Sequence, residues 1–422
     1  MATSDIYGLD FGTSNSAISV LTDGHARMLP IAQDATEIIP TLLFFPDYAS
    51  EVCIGERAIH EYVESGMKGR LMQSIKSFLP EVGYHGTPVG GKYGFMTIEH
   101  FVALIIEDIK KRADMLTGQD IKRVVLGRPV VFSDKPEEDA VAEKRLIKAA
   151  ERAGFEEVYL QQEPIAAAFE YEQQLTKDET ALIVDLGGGT SDFTVIKLGP
   201  NRFAQHDREH DILGVHGFRL GGNDFDADIM WNNGVAYFGK GATYTEMHQT
   251  MPIPNEILLT LCTWQKMSLL KEPRTKEFLR RLIKTGSDPQ RMKNLNTLVN
   301  ENLGYSFFQS VEAVKCALSE SDEAMLLFDQ SGIRVNETIT KVMFEEVVKE
   351  KVMRLNEEID HLLKQCALSP KDIDSVFTTG GTSSIPCIRN LIAHKFGAAK
   401  IKSGNTFLSV ATGLALSGKQ FI

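Results

Sequence analysis

Short apolar runs bounded by glycine alternate along this chain with longer stretches of helical period. That alternation predicts an α/β protein. Ile6–Phe11 and Ala17–Leu21 read as strands joined by a glycine turn. Phe101–Leu116 carries apolar residues at 101, 105 and 109, the period of a helix buried on one face. Arg123–Val130 predicts a strand that runs into a proline-marked turn. Pro136–Ala153 predicts a helix, with proline and acids at its start, basic residues further along and Gly154 just past its end. Val158–Gln162 then predicts a strand, Pro164–Gln174 a helix, and Ala181 the start of another strand. Toward the C-terminus, Met343–Gln365 predicts a helix, Asp374–Thr379 a strand and Ile385–Phe396 a helix.

Within this pattern one motif occurs twice. Residues 6–20 read IYGLDFGTSNSAISV and residues 181–195 read ALIVDLGGGTSDFTV. Each is an apolar strand ending in Asp, a Gly-rich turn with Thr-Ser, and a second apolar strand. Glycine lets a backbone come close to a ligand and adopt positive φ, so its N–H groups suit phosphate. A carboxylate at the mouth of such a turn suits Mg²⁺, which prefers oxygen ligands and keeps waters. Asp10 with Gly12, Thr13, Ser14 and Asn15 forms the first loop; Asp185 with Gly187, Gly188, Gly189, Thr190 and Asp192 forms the second. A repeat with the same Asp placement predicts a duplicated fold that grips one nucleotide from both sides.

Other residues add chemistry. Gly221-Gly222-Asn223-Asp224 is a third glycine turn. Gly380-Gly381-Thr382-Ser383-Ser384 is a fourth, between a strand and a helix whose free N–H groups could meet an anion. Glu163-Pro164 opens a small-residue helix; Glu163 is a helix start or, beside phosphate, a carboxylate that orients water. Lys76, taken by itself, reads as a surface lysine. His206 and His210 have helical metal spacing, but with no third ligand they read as a polar loop.

Composition narrows the function classes. At 422 residues the chain predicts at least two domains. A net charge of −12 argues against generic nucleic-acid binding, and no apolar run is long enough to span a membrane. The start, MATSDIYGLD, lacks a signal-peptide pattern. Five scattered cysteines without a CxxC pair predict reduced thiols in a cytoplasmic protein. Residues 231–305 read as Gly- and Pro-punctuated helical pieces. Within them Lys266–Lys293 holds nine Lys or Arg against three Asp or Glu. This is read as a solvated helical face; the alternative is a docking surface for an unknown, acidic protein partner.

The two loops, LGGNDFD and VFTTGGTSSIPCI resemble the actin-like ATPase superfamily, and most closely the ATPase domain of DnaK-type heat-shock chaperones. EPIAAAFEY resembles that family's Glu-Pro connecting helix. The wording of LGRPV, ERAGFEEV and QQEPIAAAFEYE is similar to short bacterial YegD-like relatives. The resemblance runs from about residue 4 to 418, loosely over 30–120 and poorly over 231–305. It implies a two-lobed fold of duplicated ribonuclease-H-like domains around a central nucleotide cleft. Lobe I would be 1–180 with 405–422 returning to it; lobe II would be 181–404, with 225–310 an enlarged helical subdomain. It also implies ATP or ADP with Mg²⁺ as cofactors. Asp10 and Asp185 would hold Mg²⁺ through waters, and Gly12–Asn15 and Gly187–Thr190 would cradle the phosphates. Lys76 would contact the transferred phosphoryl, with Thr190, Glu163 and Asp192 around the attacking water. Pro164 would couple nucleotide state to conformation. Gly222, Glu312, Lys315, Gly380, Gly381, Thr382 and Ser384 would contact the nucleotide. Cys316 and Ser384 stand where the family usually carries Arg, and Phe407 where it carries Asp.

The expected function is a slow, Mg²⁺-dependent ATPase acting as a chaperone-like switch, here without a peptide-binding domain of its own. Three alternatives stand beside it: a small-molecule kinase of the same fold, a nucleotide sensor without turnover, and an actin-like filament protein.

Overall fold

The computed structural model describes residues 5–47, 51–65, 68–90, 93–203, 205, 208–403 and 408–421. His206 and Phe407 lie outside them. The described chain divides into two compact units. The first comprises 1–221, 354–384 and 388–422; the second comprises 222–353 and 385–387.

The two largest sheets of the first unit, of six and five strands, share a five-strand topology. In the first sheet the strands are β1 (Ile6–Phe11), β2 (Asn15–Thr22), β3 (His25–Met28), β4 (Arg123–Arg128) and β5 (Glu157–Gln162). They run in the order β5-β4-β1-β2-β3, with Ile38–Pro40 added beside β2. In the second sheet they are β6 (Glu179–Leu186), β7 (Ser191–Leu198), β8 (Ile212–Phe218), β9 (Ser375–Thr379) and β10 (Ile401–Ser403). Their order is β8-β7-β6-β9-β10, which is the first order read from the other end. In each sheet the motif strands form an antiparallel hairpin, and the first of them pairs in parallel with a strand far along the chain. The repeated sequence is therefore a repeated sheet.

Alternation along β1 splits its side chains between two cores. Leu9 and Phe11 join Phe101, Ile105 and Ile109 of α1 (Ile98–Thr117) and Leu146 and Ala149 of α2 (Pro136–Arg152). Thr97 caps α1 and Gly118, at φ 71, ends it, so the helix begins three residues before its apolar period does. Ile6, on the other face, joins a core shared by both sheets. That core includes Ile183, Ile196 and Phe377, with Ala166–Ala168 of α3 (Glu163–Glu172) and Val410, Leu414 and Ala415 of α4 (Ser409–Ser417). Small residues let α3, α4 and β1 approach closely. A Cβ on Gly413 would lie 1.7 Å from the Ala166 carbonyl oxygen, and one on Gly8 would lie 2.2 Å from the Ala415 nitrogen.

The second unit is mainly helical and holds two hairpins. Thr243–Glu246 pairs with Gln249–Pro252, and Glu323–Gln330 with Ile333–Thr340. Helix Pro273–Thr285 turns Leu279 and Leu282 inward and leaves Arg274, Arg280, Arg281 and Lys284 exposed; Arg281 pairs with Glu246 at 2.8 Å. All five cysteines are free thiols, and no described helix is long and apolar enough to cross a membrane.

Candidate functional site

The two motif hairpins share one register. Asp10 faces Ala17 across the first, and Asp185 faces Asp192 across the second. The loops differ in what requires their glycines. In the first, a Cβ on Gly12 would lie 2.1 Å from the Asn15 carbonyl oxygen, so the turn itself demands glycine. In the second, a Cβ on Gly187 or Gly189 would meet nothing nearer than 3.6 Å. None of these three glycines has the left-handed φ anticipated from sequence; the turns close with ordinary backbone angles. The loops approach each other, since the Gly189 Cβ position lies 3.7 Å from the Thr13 hydroxyl.

Two further turns brace the second loop. Gly221 packs so closely that a Cβ there would lie 2.4 Å from the Gly189 nitrogen. Gly380 does need left-handed φ, at 79°, and its Cβ position falls 2.2 Å from the Leu186 carbonyl oxygen and 3.0 Å from Asp185 Oδ1. The Thr382 hydroxyl donates to the Gly187 carbonyl at 2.9 Å. Gly381–Ser384 forms its own 3₁₀ turn before helix Pro386–Phe396, with Gly381 and Ser384 exposed.

Five ionisable groups gather beside these loops. Lys76 is the clearest departure from the sequence reading: it is 6% exposed rather than a surface residue. It sits in the 3₁₀ turn Ile75–Phe78 and donates from Nζ to Glu163 Oε1 at 2.5 Å. Glu163 is the first residue of α3, with Pro164 in the first turn where its missing N–H costs nothing. Its close approach is permitted by Gly127 on β4, whose Cβ would lie 3.0 Å from Glu163 Cγ. Asp192, 1% exposed, accepts from the Val130 N–H at 2.7 Å, in a space kept open by Gly217.

The electrostatics follow from four carboxylates sharing one ammonium. Burial, then Glu163, push Asp10 and Asp192 up to about 7. Thr190 and the Val130 N–H restrain the rise at Asp192. Burial, then Glu163, Asp192 and Asp10, raise Asp185 well above the carboxylate range. Burial works against the Lys76 ammonium, but Glu163 and Asp10 outweigh it and its pKa is raised. A buried surplus of hard oxygen donors is the chemistry that suits a hydrated Mg²⁺. Among the described residues no three His, Cys, Asp or Glu form a group that could hold a metal ion.

Gly222, Glu312 and Lys315 lie in the second unit. Lys315 Nζ donates to Asp226 Oδ2 at 2.7 Å and to the Gly222 carbonyl at 3.4 Å. Asp226 is fully buried, and burial raises its pKa to about 6 against the pull of Lys315; Glu312 adds to the rise. Sequence reading passed over Asp226, although it lies two residues past the third glycine turn. His210 falls in a short turn, Glu209–Asp211.

Two copies of one sheet, each with an Asp-bearing hairpin, define the class: an α/β protein with the actin-like ATPase fold. The Hsp70 protein family model matches residues 6–251 and 288–420, and the chain belongs to the Hsp70 family. Membership supports an ATP-binding, chaperone-type function. The poor resemblance expected over 231–305 narrows to 252–287, the stretch between the matched segments.

Proposed function

We propose that this chain is a slow Mg²⁺-dependent ATPase whose nucleotide state sets its conformation. The observation that carries this reading is the cluster of half-buried Asp10 with buried Lys76, Glu163, Asp185 and Asp192 beside two loops of the same register.

Asp10 and Asp185 would hold Mg²⁺ through waters, and the bound cation would supply positive charge against the phosphate oxygens. Backbone N–H groups of Gly12–Asn15 and Gly187–Thr190 cradle the phosphates. Gly380–Ser384, in the same unit as these loops, contact the rest of the nucleotide. Lys76 directs its ammonium at the transferred phosphoryl, where charge develops. Glu163 and Thr190 orient the attacking water. Asp192, with a pKa near 7, accepts its proton at Oδ, which is where a general base works best at neutral pH. Pro164, next to Glu163, carries the change at the phosphate into α3.

The test is single-turnover ATP hydrolysis with Mg²⁺ and no added acceptor. Asp185→Asn is expected to lower the rate at least about 100-fold. Near-normal turnover in that variant sinks the assignment.

A further inference from the structure

The turn that carries Lys76 is held from a distance. It packs against α1, with Leu79 and Pro80 buried. From α2, Arg145 reaches over it. Nη1 donates to the carbonyl oxygens of Leu79 at 2.7 Å, Glu81 at 3.0 Å and Phe78 at 3.4 Å. Nη2 donates to the Tyr84 carbonyl at 3.1 Å. On its Nε side it faces Glu99 of α1 at 3.9 Å. Four carbonyls of one short stretch thus converge on a single guanidinium that is 12% exposed. The same stretch leads straight back to the site, because the Leu79 N–H donates to the Lys76 carbonyl at 3.1 Å.

Two features show that this backbone needs holding. Ser74, just before the turn, has a left-handed φ of 52°, which an L side chain adopts at a cost. A covered carbonyl without a donor is costly as well. A planar guanidinium can serve several acceptors at once, whereas a lysine ammonium is a mobile point charge.

We propose that Arg145 is a positioning residue for Lys76: by bonding the carbonyls of Phe78, Leu79, Glu81 and Tyr84 it fixes the turn that aims the ammonium. This rests on the reading that Lys76 acts on the transferred phosphoryl. Arg145 acts through the turn and not on the nucleotide.

The test is Arg145→Lys in the full chain, read in two ways. Amine-reactive labelling of the nucleotide-free protein is mapped by mass spectrometry. Lys110 is the internal control, a buried lysine tied to Asp114 and Asp120. Loosening the turn is expected to raise labelling of Lys76 at least about threefold relative to Lys110. Single-turnover hydrolysis should fall about 10- to 100-fold while ATP affinity changes less than about threefold. Unchanged Lys76 labelling in the folded variant overturns the proposal. Raised labelling with wild-type turnover overturns it too, because the turn is then held for stability alone. Lys76→Ala, assayed alongside, separates the two claims. If it hydrolyses ATP at the wild-type rate, the phosphoryl reading fails, and labelling still decides what Arg145 does. Should Arg145→Lys fail to fold, Arg145→Gln, which keeps two of the donors, must show the same divergence between affinity and rate.

Discussion

Asp192 gives the clearest pH signature of any single residue here. Its folded pKa of about 7 lies above the ordinary carboxylate range because burial and Glu163 disfavour its charge. The folded protein therefore keeps a proton that the unfolded chain gives up near pH 4. The stability so gained is complete below that pH and is lost as pH rises toward 7. Unfolding by urea, without nucleotide and with divalent cations chelated, should show a loss on the order of 3 kcal/mol from Asp192 between pH 5 and 8. Asp10 works in the same direction. Asp192→Asn should flatten the slope; equal slopes in the two proteins would count against the buried charge. The residue scale is also where sequence was least legible. Asp10, Asp185 and Asp192 sit inside a repeat that names them. Lys76 has no local signal, since its partner Glu163 is remote in sequence and only the fold brings the two together. Arg145 was invisible for the same reason, whereas Asp226 closes the quoted segment LGGNDFD and was passed over.

Among elements, the glycines separate what the fold needs from what a ligand needs. Gly413 must be small because α4 packs on the Ala166 backbone; the Cβ of an alanine would sit 1.7 Å from a carbonyl oxygen. Gly413→Ala is expected to cost at least about 1–3 kcal/mol in urea unfolding, the price of overpacking. Gly187 has room for a Cβ, whose nearest neighbour would be the Thr190 oxygen at 3.6 Å. Gly187→Ala should therefore keep stability within about 0.5 kcal/mol of wild type and weaken only what binds against the loop. Equal stability losses in both variants would erase the distinction. Periodicity located both motif hairpins, β4, β5, β9 and helices α1–α3 of the first unit, because those bury one face and end at proline, glycine or a cap; it made no prediction for β3, β8, β10, α4 or the short elements between residues 38 and 96. It missed hairpin Thr243–Glu246/Gln249–Pro252, which turns on Met247 and His248 at φ 49 and 67. Two-residue turns with positive φ usually announce themselves with Asn or Gly; Met-His does not. It also passed over Glu323–Gln330/Ile333–Thr340, where Ser331-Gly332 and the apolar residues Ile333, Val335 and Ile339 at even spacing carried the signal; in the first strand exposed Met325 and Leu327 hide the alternation.

For the whole molecule, the division into units predicts where a lesion is felt. The core between the two sheets draws side chains from both, together with α3 and α4. Crowding it through Gly413→Ala should weaken amide protection in β1 and β6 alike, although they belong to different copies of the repeat. The second unit has its own buried polar anchor in Asp226 and Lys315. Removing Lys315 leaves a carboxylate with 0% exposure and no cation at 2.7 Å. Breaking a buried pair from one side costs about 3–5 kcal/mol, and the raised pKa of Asp226 tempers this by letting it take a proton as pH falls toward 6. Hydrogen exchange of Lys315→Met at pH 8 should thus lose protection chiefly within 222–353, around Gly222–Ile229 and Gly304–Ala317, the helices that carry the pair. At pH 5 the loss should shrink, because neutral Asp226 no longer needs its partner. A loss that is the same at both pH values, or spread evenly over β1–β10, would show that the anchor holds by packing and not by charge.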